Sequence, residues 1–443
     1  MAFVVAGGLG VFLDRTVGRS GAGTSSSMEV TSGAWFCPHG GSESWRGWVV
    51  VTNPGGRPVS VRATTFGQGG DLQEQSFQVP ARRQVYRNVP VEEIGASTAI
   101  EFFGGWVGAS FVLNAGGDDS GIAASECQGA SSENTFVMDQ PTGRSELAFA
   151  VVMNPFFGPA EFDVVIRTPR RTVRPSLLTP YVLGPRRSIA IRINRFALEA
   201  PGEETVTVEI NPRIGRVVTG SVGILSEGVR ADGGIDGQKR WLIPARAFDP
   251  STLLVVNPSS LRAVLSVTAE EQESEQPLFE GRLRLPPGGV AGEDLGGVEN
   301  AALVLESRNG RSVAASVVVE AEETDSAAVG GVLRAEERWL VLPGTPPEGG
   351  RQLLVLQNPA RTEALVRLSF IGPDGPFSGS RVGSVRVPGG RTMEIEIPSG
   401  PEGKPLTAVV EAQTGTVVAA QASYSEDDTG YASSVGVPMR EEE

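Results

Sequence analysis

The stretch that decides the fold is LLVLQNPARTEALVRLSF, residues 353–370, in which an apolar run stops at an Asn-Pro pair and an alternating run follows. Proline removes a backbone donor and holds the preceding residue in extended geometry, and asparagine can close an Asx-turn. The apolar run, the turn and the period-two segment therefore predict a β-hairpin with one buried face. We interpret the Asn-Pro pair as the structural signal that ends a strand.

The same hairpin pattern occurs four times along the chain. The pairs begin at Asn53, Asn154, Asn257 and Asn358, so their spacings are 101, 103 and 101 residues. After each pair come a Pro turn, about 30 residues later, and then a late apolar strand. A unit of about 100 residues with six to eight short strands is typical of a Greek-key sandwich, whereas propeller blades repeat every 40–50 residues. The sequence predicts an all-β protein of four tandem immunoglobulin-like or fibronectin-III-like β-sandwiches.

No long Pro- or Ser-rich linker separates the repeats. The predicted division is a hydrophobic N-terminal segment and spacer at 1–28, then sandwiches at 29–129, 130–236, 237–335 and 336–443, the last with an acidic tail. Because flexible linkers are missing from this division, neighbouring sandwiches are expected to join closely and form a stiff rod.

One aromatic residue precedes each Asn-Pro pair by 16–19 residues. These positions are expected to fill one core each, and they are Trp35, Phe136, Trp241 and Trp339. A large aromatic ring supplies much of the apolar area that a small sandwich buries. We therefore predict one aromatic plug per sandwich.

Composition limits the classes of partner. The chain has 38 basic and 52 acidic residues and a net charge of -14, and apolar residues make up 40%. Nucleic-acid binding depends on clustered cations, so the charge argues against a nucleic-acid partner. The apolar content is sufficient for packed cores between many turns.

The N-terminus begins with the apolar run MAFVVAGGLGVFL. As a helix this run would extend about 20 Å, which is shorter than a hydrocarbon core of roughly 30 Å. Its length is typical of a secretory h-region, but basic residues do not precede it and a clear A-x-A site does not follow. We expect an anchor or signal truncated by a late start, with a buried or frayed terminus as the alternative. Membrane contact is expected only through this segment.

Cys37 and Cys127 are the only two cysteines, and they have no CxxC spacing. A zinc ribbon and a thioredoxin-like motif are therefore excluded. Cys37 follows the first aromatic plug and Cys127 lies near the end of the same repeat, so a disulfide is predicted because first and last strands often lie close in a sandwich. The alternative is a reactive thiol paired with His39, the only histidine. No catalytic residue is assigned.

Sandwich 1 carries three extra tryptophans, Trp45, Trp48 and Trp106, that have no Trp counterparts in the later repeats. Indoles offer rigid apolar area with one donor, which suits a platform for sugar rings or a contact with a protein partner. Trp48 enters a strand that is predicted to be buried. Trp45 and Trp106 are therefore the candidate ligand-binding residues, with core packing as the alternative.

Acidic residues recur after the late strands. The weak candidates for metal binding are Asp118, Asp119, Asp427 and Asp428. Calcium accepts six to eight oxygen ligands, and a site near a domain junction would stiffen the chain. No EF-hand spacing occurs, so solvated hairpin tips are the alternative. No cofactor is predicted other than this possible calcium.

The motifs WFCPHGG and VVVTNPGGRPVSV, the Pro turn and the late AAS strand resemble an uncharacterised family, a domain of unknown function, of secreted or membrane-anchored actinobacterial proteins. The resemblance covers most of the chain after about Ser26, and it implies location rather than chemistry. Only two of the 38 basic residues are lysines, Lys239 and Lys404, which agrees with a G+C-rich source.

The expected function follows from the repeats and the resemblance. We expect a non-catalytic extracytoplasmic structural, adhesive or scaffold protein that presents stacked sandwiches at the cell envelope. The expected partner is cell-wall polysaccharide or an envelope protein. The alternative is a cell-wall glycan-binding or glycan-active protein.

Overall fold

The computed structural model describes residues 26–27, 31–117, 119–143, 145–197, 205–226, 228–244, 251–270, 279–295, 302–320, 326–377, 383–426 and 430–440. These residues form an almost entirely β structure, which confirms the predicted fold class. Helical segments are short: α1 (Asn194–Ala197) and the 3-10 turns Ser176–Leu178 and Pro401–Gly403. No helix in the described ranges is long and apolar enough to cross a membrane. The apolar run at the N-terminus lies outside those ranges.

The first described strand, β1 (Ser26–Ser27), belongs to the last sandwich. Sandwich 1 consists of β2 (Ser32–Cys37), β3 (Arg46–Asn53), β4 (Val59–Gly67), β5 (Gly70–Val79), β6 (Arg83–Val89), β7 (Ser97–Phe103), β8 (Gly108–Ala115) and β9 (Gly121–Glu126). Its two antiparallel sheets have the strand orders β2-β7-β4-β5 and β6-β3-β8-β9. The middle of each sheet is therefore paired on both sides, and β5 and β6 are outer edges.

Sandwich 2 repeats this topology with its fourth strand split in two. Its strands are β10 (Thr135–Pro141), β11 (Leu147–Asn154), β12 (Ala160–Arg167), β13 (Thr172–Val173), β14 (Tyr181–Leu183), β15 (Arg187–Arg192), β16 (Thr205–Ile214), β17 (Val218–Leu225) and β18 (Gly228–Gly233). The sheets are β10-β16-β12-β13, with β14 also on β12, and β15-β11-β17-β18.

Sandwich 3 has the eight-strand pattern of sandwich 1. Its strands are β19 (Arg240–Pro244), β20 (Ser251–Val256), β21 (Ala263–Glu270), β22 (Phe279–Leu285), β23 (Val290–Asp294), β24 (Ala302–Ser307), β25 (Ala314–Glu320) and β26 (Ser326–Gly330). The sheets are β19-β24-β21-β22 and β23-β20-β25-β26.

Sandwich 4 adds strands from both ends of the described chain. Its strands are β27 (Arg338–Val341), β28 (Arg351–Asn358), β29 (Ala364–Gly372), β30 (Gly375–Phe377), β31 (Ser384–Val387), β32 (Arg391–Ile397), β33 (Thr407–Thr414), β34 (Val418–Tyr424), β35 (Tyr431–Val435) and β36 (Val437–Arg440). One sheet is β32-β28-β34-β35, and the other runs β1-β36-β27-β33-β29-β30, with β31 also on β29. The predicted N-terminal spacer thus supplies β1, which pairs in parallel with β36.

Each Asn of the repeated pair is fully buried and holds two turns together. Asn53 Oδ1 accepts the Gly55 amide at 2.9 Å, which is the predicted Asx-turn, and Asn53 Nδ2 donates to the carbonyls of Arg57 and Val79 at 2.7 and 3.1 Å. The same pattern recurs at Asn154, Asn257 and Asn358. The Asn-Pro pair and the Pro turn, two separate landmarks in the sequence, are therefore joined directly by hydrogen bonds.

The predicted aromatic plugs are confirmed, because all four rings are at most 2% exposed. Trp35 Nε1 donates to the Val107 carbonyl at 2.7 Å, and Trp241 and Trp339 repeat this bond to Val313 and Val417. Phe136 occupies the same place in sandwich 2 without a donor. The bond gives the N–H groups of these three buried indoles the partner that they require.

The four sandwiches close into a ring, so the predicted rod is wrong. One edge strand from each sandwich lies at a common axis, where β9 contacts β18 and β35, and β26 contacts the same two strands. The prediction considered only contacts between chain neighbours. Leu340 and Ile371 of sandwich 4 share a core cluster with Val107 of sandwich 1. Burying such apolar faces stabilises closure in a way that the order of domains along the chain does not reveal.

Candidate functional site

The Cys37 and Cys127 sulfurs form the predicted disulfide, with an S–S distance of 2.06 Å, and both residues are fully buried. The bond joins the end of β2 to the residue that follows β9, close to the ring axis. Cys37 therefore has no thiol for a nucleophilic pair with His39.

His39 is a buried structural residue. Its Nδ1 lies 2.7 Å from the Gly40 carbonyl and its Nε2 lies 2.9 Å from Thr98 Oγ1. A carbonyl can only accept, so Nδ1 carries the proton and Nε2 accepts from the hydroxyl. Burial lowers the pKa of His39 to about 4, against a smaller raising effect of the Gly40 bond. At neutral pH the ring is uncharged and both nitrogens are engaged.

The two candidate tryptophans are buried, Trp45 at 5% exposure and Trp106 at 3%. Trp106 packs edge-on against Trp35, with ring centroids 6.4 Å apart, and Trp45 Nε1 donates to Asp119 Oδ2 at 3.1 Å. Neither ring presents the open face that a stacking platform for sugars requires, because the apolar area of both is used in the core of sandwich 1. Trp48 is buried as expected. A ligand contact of Trp45 stays a prediction, since Trp45 lines a pocket.

Of the four acidic metal candidates, Asp118, Asp427 and Asp428 lie outside the described residues. Asp119 accepts the hydrogen bond from Trp45. Within the part of the chain that the structure describes, no group of three or more His, Cys, Asp or Glu is arranged to hold a metal ion. Calcium binding stays a prediction.

A pocket of 420 Å³, the Trp45 pocket, lies on sandwich 1 between β5 and the end of β6. Its lining includes Trp45, the amides of Gln73 and Gln75, and Asn88. Gln75 Nε2 donates to Gln73 Oε1 at 2.7 Å and to the Asn88 carbonyl at 2.8 Å. Amide groups both donate and accept, so this wall matches the hydroxyls of a sugar.

A second pocket, of 400 Å³, lies where sandwich 4 meets sandwich 1, and we call it the closing groove. One wall consists of the consecutive residues 83–87 of β6, and the other includes Pro347, Pro373, Lys404 and Pro405 of sandwich 4. No motif or spacing in the sequence indicates this site. Its walls come from opposite ends of the chain, and only ring closure brings them together.

Hydrogen bonds between the two sandwiches fix the closing groove. Gln84 Nε2 donates to the Pro405 carbonyl at 3.1 Å, and Thr407 Oγ1 donates to Gln84 Oε1 at 2.7 Å. The Tyr86 hydroxyl donates to the Thr345 carbonyl at 3.0 Å. Burial, and then the charge of Glu348, raise the pKa of Tyr86 well above its ordinary value. The hydroxyl therefore stays protonated and the bond across the seam is kept.

Four charged residues and one serine also meet at the ring axis, and we define them as the axial cluster: Arg230, Asp139, Asp232, Glu126 and Ser326. Arg230 Nη1 lies 2.8 Å from Asp139 Oδ2, and Arg230 Nε lies 3.0 Å from Asp232 Oδ2 as an ion pair. Arg230 Nη1 also reaches Ser326 Oγ of sandwich 3 at 3.4 Å. The cluster thereby ties sandwich 2 to sandwich 3.

Two acids of the axial cluster, Asp232 and Glu126, have raised pKa values because they are buried. Burial raises the pKa of Asp232 to about 6, although the charge of Arg230 and the Ala328 amide act in the opposite direction. Burial also raises the pKa of Glu126, against hydrogen bonds from its own backbone, Ser125 and the backbone of Val435. Glu126 belongs to sandwich 1 and accepts a hydrogen bond from the backbone of Val435 in sandwich 4, so the cluster lies where all four sandwiches meet.

Comparison with known proteins gives a family and no activity. Residues 100–335 and 334–432 match the model described as "Family of unknown function (DUF5719)". No curated protein matches the chain. The chain is similar to a solved structure described as "Crystal structure of tetra-tandem repeat in extending region of large adhesion protein", at 9% identity over 92% of this chain and 99% of that chain. The TM-score is 0.12, which is too low to support an argument about fold or function.

Proposed function

The chain belongs to the family of unknown function DUF5719, whose model matches more than half of its residues, and we propose that it is a non-catalytic extracytoplasmic structural, adhesive or scaffold protein of the cell envelope. The observation that carries this proposal is the closed ring. Four sandwiches with the same buried Asn clamp are locked together at one axis, which suits a rigid frame that holds a binding surface in place. The partner we propose is cell-wall polysaccharide or an envelope protein.

The placement of the reactive side chains supports a non-catalytic role. The only histidine is neutral and hydrogen-bonded through both nitrogens, and both cysteines are joined in the disulfide. The groups from which a Ser-His-Asp or Cys-His arrangement would be built are thus used to hold sandwich 1 together.

The disulfide supports the proposed location. Disulfides persist in oxidising compartments such as the exterior of a bacterial cell, and they are rare in the cytosol. The apolar run at residues 1–13 would supply the anchor or the export signal, in line with the secreted or membrane-anchored character of the actinobacterial proteins that the sequence resembles.

Cell fractionation tests the proposal. We expect the full-length protein, expressed with a C-terminal tag in its native cells, in the envelope fraction or the medium. Mass analysis after alkylation should show Cys37 and Cys127 unmodified unless a reductant is added. Recovery in the cytosol with two alkylated cysteines would overturn the proposal.

The Trp45 pocket favours glycan binding as a second candidate function. Its amide wall offers donors and acceptors that match sugar hydroxyls. We expect wild-type protein to co-sediment with isolated cell-wall polysaccharide, and Gln73→Ala/Gln75→Ala to lose most of this retention. The control is Gln413→Ala, an exposed glutamine of β33 outside the pocket. Unchanged retention of the double variant would exclude the pocket as the glycan site.

A further inference from the structure

One wall of the closing groove is an edge strand. β6 pairs with β3 on one side, and no strand within the described ranges pairs with its other side. Two outward carbonyls of β6 are occupied by side chains: Tyr86 O accepts Arg87 Nη1 at 3.3 Å, and Asn88 O accepts Gln75 Nε2 at 2.8 Å. An added strand can replace such mobile side-chain bonds with backbone bonds. The edge is therefore suited to accept an extended chain.

Two arginines of β6 lie on the same face of this edge strand. Arg83 and Arg87 are four residues apart, which places them on one side of the strand about 13 Å from each other. Neither makes an ion pair among the described residues: Arg83 Nη1 lies 3.5 Å from the Pro373 carbonyl, and Arg87 lies over the Phe77 ring at 4.8 Å. Within the described part of the chain, neither guanidinium therefore has a carboxylate partner.

The rest of the groove adds a third cation and an apolar wall. Lys404 of sandwich 4 lines the groove, and its lining includes no acidic residue among those that the structure describes. Val85 lies between the two arginines, and the prolines 80, 347, 373 and 405 complete the lining. Proline has no N–H, so this wall favours apolar side chains rather than polar ones. In a chain with a net charge of -14, the groove is a local concentration of positive charge.

We propose that the closing groove binds an extended acidic peptide of a partner protein. The peptide adds as a strand to the free edge of β6. Two carboxylates four residues apart face Arg83 and Arg87, and an apolar side chain between them packs on Val85 and the proline wall. Alternation with period two places all three of these peptide side chains on one face. This inference rests on the proposed scaffold function and names the class of partner.

The other sandwiches supply a matched control. In sandwich 2 the corresponding edge strand is β15, where Arg187 pairs opposite Asn154 as Arg83 pairs opposite Asn53. Arg192 lies at the other end of β15, and both of its arginines are exposed. Ile191 occupies the position that corresponds to Arg87. The two arginines of β15 are therefore five residues apart and lie on opposite faces of the strand, unlike Arg83 and Arg87.

Fluorescence anisotropy with full-length protein tests the inference. The probe is a fluorescein-labelled seven-residue peptide of alternating polar and apolar residues with two glutamates four apart. We expect Arg83→Glu/Arg87→Glu to weaken binding at least about tenfold, because two attractions become repulsions. Arg187→Glu/Arg192→Glu should leave the Kd within about twofold. A peptide with glutamine at both acidic positions should bind wild type as weakly as the acidic peptide binds the β6 variant.

The role of the second wall is tested by Lys404→Glu. We expect this variant to bind the acidic peptide about threefold more weakly than wild type. The effect is smaller than that of the β6 variant because Lys404 already pairs with Glu402 at 2.8 Å. Circular dichroism of each variant establishes that it is folded, and wild-type binding should weaken as salt rises from 50 to 500 mM.

Three outcomes would overturn the inference. They are failure of wild type to bind the acidic peptide, equal weakening by the β6 and β15 variants, and displacement of the peptide by sodium alginate at lower carboxylate concentration. The last would assign the groove to an acidic polysaccharide. Because cell fractionation does not depend on the groove, loss of peptide binding with recovery of the protein in the envelope fraction would contradict this inference alone.

Discussion

The axial cluster and the closing groove both contain arginine where sandwiches meet, but the arginine charge is paired with carboxylates only in the axial cluster. Arg230 at the axis is 4% exposed and lies between Asp139 and Asp232. Arg83 and Arg87 in the groove face an opening with no carboxylate partner in the described chain. The difference teaches how to separate the two roles: a compensated buried charge holds the ring together, and an uncompensated cation beside a groove is available to a ligand.

Compensation at the axis has an energetic cost. Removing two carboxylates and a guanidinium from water is unfavourable, and their mutual attraction offsets this only in part. The raised pKa of Asp232 expresses that cost. The cluster is therefore better understood as a device that fixes how four similar sandwiches are arranged than as a large source of stability.

The largest expected effect on stability comes from removing the cation of the axial cluster. Arg230→Met leaves Asp139 and Asp232 buried without their cation, and we expect a loss of about 3–5 kcal/mol in the free energy of unfolding. Urea denaturation followed by tryptophan fluorescence measures it.

The control for the axis is Arg62→Met on sandwich 1. Arg62 pairs with Glu101 at 2.7 Å, but both side chains are more than 30% exposed. Such a pair contributes at most about 1 kcal/mol. If Arg230→Met and Arg62→Met lowered the free energy of unfolding equally, burial at the axis would not distinguish Arg230 from a surface arginine.

The next effect concerns the disulfide, which ends beside the axis. Cys37 and Cys127 enclose a loop of about 90 residues, the sequence separation of the pair. We expect Cys37→Ala/Cys127→Ala to lower stability by about 2–4 kcal/mol. Peptide binding in the closing groove should stay within about twofold under native conditions, because the groove does not contain the bond. A reductant titration of wild type should reproduce this loss of stability. If the affinity of the closing groove for the peptide fell at the same time, the disulfide and the groove would be coupled.

The sequence predicted the parts of the molecule that repeat. Asn53 and Trp35 recur at fixed spacing, and each makes bonds within its own sandwich, so periodicity was enough to find them. The Cys37–Cys127 bond was predictable because both cysteines lie in one repeat, close to its first and last strands. The ring was not, because its contacts join residues such as Gln84 and Pro405, 321 positions apart, without any repeated motif.

The candidate sites were harder to predict than the fold for a related reason. An indole in a sequence belongs either to a core or to a surface, and only the structure shows that Trp45 and Trp106 are buried. The groove cations Arg83 and Arg87 looked like ordinary surface charges. They line a groove only because sandwich 4 supplies its other wall.

The axial cluster also predicts a pH dependence. Asp232 has a pKa of about 6 in the folded protein against an ordinary value of 3.8. Between these values the folded state keeps a proton that the unfolded state has lost, so the contribution of Asp232 to stability is present below about pH 4 and falls as pH rises to 6. Its size is on the order of 3 kcal/mol. Relative to Asp232→Asn, wild type should therefore become more stable on acidification from pH 7 to 4.5.

The comparison with Asp232→Asn is needed because His39 acts in the opposite direction. Its pKa is lowered from 6.5 to about 4, so its contribution is present above pH 6.5 and is lost as pH falls to 4. Both proteins contain His39, and its effect cancels in their difference. Urea midpoints at pH 4.5 and 7 measure that difference, and parallel changes in the two proteins would contradict the assignment to Asp232.

The smallest expected effect on stability is that of the groove arginines, and it tests directly whether they differ from Arg230. Arg83→Met/Arg87→Met removes the same charged group as Arg230→Met, twice over, yet it breaks no ion pair in the described structure. The contact of Arg87 with the Phe77 ring is the main loss, and we expect a change of about 0.5 kcal/mol in the free energy of unfolding. Urea denaturation beside the Arg230→Met protein measures it. A loss near that of Arg230→Met would place these arginines in the framework of the ring, whereas retained stability together with lost peptide binding would leave recognition as their role.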